Sequence, residues 1–76
     1  MDAITRETLR SYGEDVSVPG SIAVTVQRGR NAVNVHQEAE GYVILFTEED
    51  NEYTLADVCT SAADMLQECR AWLEVE

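Results

Sequence analysis

Carboxylates are the commonest side chains here that could do chemistry. The run Glu48-Glu49-Asp50-Asn51-Glu52 offers oxygen ligands of the kind a calcium ion prefers. A calcium loop also needs alternating acids, a glycine and a distal bidentate glutamate, and no glycine follows this run. His36 is the single histidine. It would serve as a general base only beside a nucleophile or an acidic partner, and its place at a strand end suits a surface or edge residue. Cys59 and Cys69 would need exposure and an electropositive setting to be reactive, and two cysteines with one histidine lack zinc-site spacing. The sequence contains no Walker-type loop, no glycine-rich dinucleotide turn and no nucleophile elbow. The expectation is therefore a non-enzymatic protein with no metal site and no cofactor.

Charge is the strongest anomaly. The 76 residues carry 15 acids against 5 basic side chains, a formal net charge of −10. Residues 1–37 are neutral, because Asp2, Glu7, Glu14 and Asp15 balance Arg6, Arg10, Arg28 and Arg30. The other eleven acids follow residue 37 with only Arg70 to offset them, and the chain has no lysine. The Arg28-Gly29-Arg30 tip could touch a phosphate, but the long-range field of so acidic a chain repels a nucleic-acid backbone, so no direct nucleic-acid binding is expected. No apolar run approaches the ~20 residues that span a bilayer, and no signal peptide is recognisable. A soluble cytoplasmic protein without a membrane partner is expected.

These groups must be positioned by a few elements. Tyr53 to Leu73 reads as a long amphipathic helix: Leu55, Val58, Cys59, Ala62, Met65, Leu66, Cys69 and Leu73 fall on one side at 100° per residue. Thr54 is its expected N-cap, with Asp57 as the reciprocal capping residue. Both cysteines then lie on one helix about 15 Å apart, too far for a bridge, and are expected as reduced, buried thiols.

Upstream, Asp2 to Tyr12 is a short helix capped by Asp2 and stopped by Gly13, and Gly13 to Gly20 is irregular. Ser21 to Gln27 alternates with Ile22, Val24 and Val26 on one face; Arg28-Gly29-Arg30-Asn31 turns, and Ala32 to Gln37 returns with Val33 and Val35 inward. Glu38-Ala39-Glu40-Gly41 turns again into Tyr42 to Thr47, apolar on both faces. Such a strand is either covered on both sides, with the N-terminal helix as the second cover, or packs on a partner. The expected fold is a single two-layer α+β domain over residues 1–76. It comprises a three-stranded antiparallel meander, a long C-terminal helix packed on it and a short N-terminal helix, in the order α-β-β-β-α.

On that helix Asp57, Asp64 and Glu68 stand within about 40° of one line, while Glu48, Glu49, Asp50 and Glu52 cluster at its entry. This acidic surface is a solvated face, an adaptation to high salt, or a docking surface for a basic protein. Carboxylates a few ångströms apart along a rigid rod can imitate a line of phosphates and attract a groove of lysine and arginine.

In its small size, acidity, small sheet with helices and lack of a catalytic motif, the chain resembles the small acidic inhibitors made by bacteriophages, the anti-CRISPR proteins and other DNA mimics. The resemblance implies inhibition of a bacterial defence complex by occupying a nucleic-acid channel or a neighbouring protein surface, in the cytoplasm of the bacterial host. The other expectation is a subunit or interaction module, monomeric or homodimeric, that uses the two-sided strand or Trp72 as its interface.

Overall fold

Asp2 opens the first helix, α1 (Ala3–Arg10), by accepting from the Thr5 amide at 2.8 Å. The computed structural model describes residues 1–49 and 55–74. Five strands follow α1 as one antiparallel sheet in sequence order: β1 (Glu14–Asp15), β2 (Val24–Arg28), β3 (Asn31–Glu38), β4 (Gly41–Glu48) and β5 (Leu55–Cys59). Helix α2 (Ala62–Leu73) ends the described chain. The α+β class and the central meander β2–β3–β4 agree with the sequence reading, and Gly29, at φ 59°, makes the tight β2–β3 turn.

Two strands were not expected. Glu14 and Asp15, in a stretch read as irregular, pair with Gln27 and Val26. The Val16 amide extends that contact by donating to the Thr25 carbonyl. More consequentially, Leu55–Cys59 is a strand and not the start of the long helix. Tyr42 to Phe46 offers a second edge, and five residues of β5 complete it, from Phe46↔Leu55 to Tyr42↔Cys59. A helix there would leave that edge of β4 unpaired.

The helix instead begins after Ser61, whose Oγ accepts from the Asp64 amide at 3.2 Å. Asp64 sits in the first turn, where the helix dipole favours an anion. Asp57 is therefore not a capping residue, and the expected cap Thr54 lies outside the described residues. Ile22 also departs from expectation: β2 starts two residues later, and Ile22 is exposed.

Alternation decides the layers. Val24, Val26, Val33, Val35, Tyr42, Ile44 and Cys59 share one face of the sheet and are buried. Leu9 of α1 and Met65, Cys69 and Leu73 of α2 close over them. Helix α1 packs beside α2 and against β2, on the same side of the sheet. It does not cover the second face, as the sequence reading allowed, so Val43 and Leu45 are only half-buried and Val58 is exposed. Trp72 anchors the end of α2. Its Nε1 donates to the Thr47 carbonyl at 3.0 Å, its ring stands edge-on to Phe46, and its own carbonyl accepts from Asn31 Nδ2. None of the helices among the described residues is long and apolar enough to cross a membrane.

Candidate acidic docking surface

Three of the expected site residues meet at the β5–α2 edge. Period two places Leu55, Asp57 and Cys59 on the helix-facing side of β5, and the i, i+4 spacing places Asp64 and Glu68 on one stripe of α2. Asp57, Asp64 and Glu68 line one open cleft of about 550 Å³ together with Cys59, Thr60, Gln67 and Ala71. The sequence reading drew the three acids as a line along one helix. They converge across two elements instead, because a strand and a helix packed side by side bring together residues far apart in the chain.

The remaining expected acids fall elsewhere. Glu48 ends β4 opposite Asn31, and the Glu49 amide donates to the Arg30 carbonyl. Both sit at the β2–β3 turn end of the sheet. That is four residues along β4 from the Ile44↔Asp57 pair, about 14 Å at strand rise. They are not at the helix entry, which is Ser61. Asp50 and Glu52 lie outside the described residues.

At the floor of the cleft the Cys59 thiol donates to Glu68 Oε2 at 2.9 Å. Burial first, then this bond and the nearby charges of Glu68, Asp57 and Asp64, push the thiol up to about 12. Burial, with smaller effects from Cys59 and Glu68, does the same to Cys69. Both thiols are free and buried, but the separation inferred for two cysteines on one helix does not apply, since one is on β5 and the other on α2. No metal site was expected, yet the donor atoms of Asp57, Cys59 and Glu68 all lie within 4.8 Å of one another. A cation there would have to displace the thiol proton that Cys59 donates to Glu68.

The titration has a definite sign. A thiol that holds its proton more tightly when folded stabilises the fold fully below its ordinary value of 9.0, and that contribution is lost as pH climbs toward about 12. Urea unfolding should therefore show a stability decline above about pH 9 that is shallower in Cys59→Ala, and neither thiol should be alkylated at neutral pH without unfolding. Equal alkaline slopes for the two chains would contradict the placement of Cys59.

Sequence reasoning missed a second concavity. Phe46, Leu55, Ala71 and Trp72 form an apolar groove of about 350 Å³, and Asp57 and Glu68 complete its lining. It shares Asp57, Glu68 and Ala71 with the acidic cleft, so the two are continuous. The available signal was the alternation Leu55, Asp57, Cys59 against Ala56 and Val58. His36, by contrast, lies on the open face of the sheet with Nε2 2.9 Å from the exposed Glu38. No family model, curated protein or solved structure matches the chain.

Proposed function

We propose that this is a small, non-enzymatic acidic binding protein. It inhibits a bacterial nucleic-acid-handling complex of the CRISPR type by presenting carboxylates to a cationic surface that otherwise receives phosphates. The observation that carries this reading is the grouping of Asp57, Asp64 and Glu68 along one cleft while none of them joins an ion pair among the described residues. The arginines with described ion pairs are spent elsewhere, Arg10 on Asp15 and both Arg28 and Arg70 on Glu74. Uncompensated like charges oppose folding, and the same charges speed and orient docking on a basic partner.

The test is capture from bacterial lysate with washes at low and high salt, using the native chain and Asp57→Asn/Asp64→Asn/Glu68→Gln. At about 1 kcal/mol per desolvated contact, the triple variant should bind about a hundredfold more weakly. Its circular dichroism spectrum should match that of the native chain, so that the lost binding reports charge and not unfolding. Salt-sensitive capture that the variant retains in full would refute the reading. A second reading, a subunit or interaction module, draws on the open sheet face of Val43, Leu45 and Val58. Salt-resistant capture lost on truncating Val43 would favour it. Trp72 serves it less well, because the indole is already committed to Thr47 and Phe46.

A further inference from the structure

We propose that β5 receives an extended basic segment of the partner protein as a sixth strand of the sheet, seating an apolar side chain in the groove of Phe46, Leu55, Ala71 and Trp72 and its cationic neighbours on Asp57 and Glu68. This rests on the reading above, that the partner is basic, and adds how it is held.

Three observations converge. First, β5 is the last strand of the sheet, so one side of its backbone has no strand partner among the described residues. The Glu49 amide donates across to Arg30, so by alternation the Ile44 amide turns to its β5 partner Asp57. The Val58 amide, which donates to Asp57 Oδ1 at 2.8 Å, turns away from β4. It therefore faces the free edge, and by alternation so does Ala56. Second, Leu55 and Asp57, on the helix-facing side of this edge strand, line the groove. A residue placed opposite Leu55 would have its Cβ about 5 Å from that of Leu55 and point the same way, into the apolar groove. The next same-side residue would face Asp57, where an arginine can take the carboxylate that now occupies the Val58 amide. Third, charge selects the occupant. A second copy of this chain would carry another −10 and set Asp57, Asp64 and Glu68 against their equivalents, and like charges directly opposite are destabilising. A cationic strand meets the opposite situation. Ala56 and Val58, on the other face, would gain cover from alternate apolar residues of the same segment.

The recognised pattern is thus an alternation, with an arginine opposite Cys59 and another opposite Asp57, a leucine opposite Leu55 and small or branched residues between. An antiparallel peptide of order Arg-Val-Arg-Thr-Leu, blocked at both ends, is the probe. Its control is the same peptide with N-methylated backbone amides, which keeps every side chain and charge but cannot pair as a strand. Both are titrated at low salt into the isotopically labelled full chain, and amide exchange is read by NMR.

The probe should slow exchange of the Ala56 and Val58 amides about tenfold while the control leaves them unchanged. Ala71→Phe, at an exposed helix position, fills the groove, and Val58→Pro removes the outward donor without touching the β4 ladder. Each should weaken the probe about tenfold.

If probe and control bind equally, with no exchange protection, and Asp57→Asn/Glu68→Gln abolishes both, the acidic surface is real and the sixth strand is wrong. If neither binds while the carboxylates still govern capture from lysate, the sixth strand again falls alone. If neither binds and capture ignores salt, both ideas fail. Protection of β5 that grows with protein concentration in the absence of peptide would give the edge to a second copy and overturn the proposal.

Discussion

Ile44→Ala should remove about 3–4 kcal/mol of unfolding free energy, whereas Leu45→Ala, one residue further along β4, should remove about 1. Ile44 is fully buried at the middle of the sheet, opposite Val35 on one side and Asp57 on the other. Truncation forfeits the transfer free energy of the lost carbons and leaves a cavity that packed neighbours fill only in part, the origin of the 2–5 kcal/mol range for such changes. Leu45 faces the side that neither described helix covers and is half-buried. A chain of 76 residues has only about 4–11 kcal/mol of total stability at ~0.05–0.15 kcal/mol per residue. Ile44→Ala should consequently keep only about 0–8 kcal/mol and unfold at a markedly lower urea concentration than the native chain. Urea unfolding followed by circular dichroism measures both variants. Equal losses would mean that the second face is also covered and that the one-sided core is mistaken.

Gly41→Ala should cost about 3 kcal/mol, the upper end of what overpacking against fixed atoms costs and more than a glycine-to-alanine change in an open turn. A Cβ at this position would fall inside the contact radius of the Cys59 carbonyl oxygen and crowd the Thr60 Cα, both main-chain atoms that no rotamer change can move. The backbone there, at φ 157°, is also at the border of what other residues adopt. Relief requires β5 to part from β4 at the Tyr42↔Cys59 pair, which opens the floor of the acidic cleft. The variant should therefore melt well below the native chain and expose Cys59 to alkylation at neutral pH. Gly29→Ala, with φ 59° but nothing within 4 Å of its Cβ, should cost only the left-handed penalty of about 1–2 kcal/mol. If the two substitutions cost the same, the close approach of β4 to β5 is not what Gly41 provides.

These two results bear on function because the proposed site is built on the β4–β5 pair. Ile44 fixes the face of the sheet on which Asp57 emerges, and Gly41 lets the Cys59 end of β5 lie close enough to bring the thiol to Glu68. The acids are effective as a group only while that pairing holds. Displacing β5 would scatter Asp57 away from Asp64 and Glu68 without changing the net charge. The geometry of the surface and its charge can thus be separated by mutation.

Much of this protein is legible along the chain because the signals are local. Asp2 as a cap, the alternation Val24, Val26 and Val33, Val35, the Gly29 turn and the apolar stripe Met65, Cys69, Leu73 each depend on neighbours a few residues away, and each appears where local physics puts it. The excess of acid after residue 37 is equally plain. Tertiary structure alone decided whether Leu55–Cys59 is helix or strand. Leu55, Val58 and Cys59 fit a helical period, but the free edge of β4 offers five backbone pairings that a stretch continued as helix would forgo. It also decided that α1 lies beside α2, so that among the described residues both helices cover the same sheet face. Most of all, it decided that Asp57, Glu68 and Cys59 meet. A strand and a helix that pack on one another place side chains in contact that the sequence separates, and no periodicity within either element records that contact.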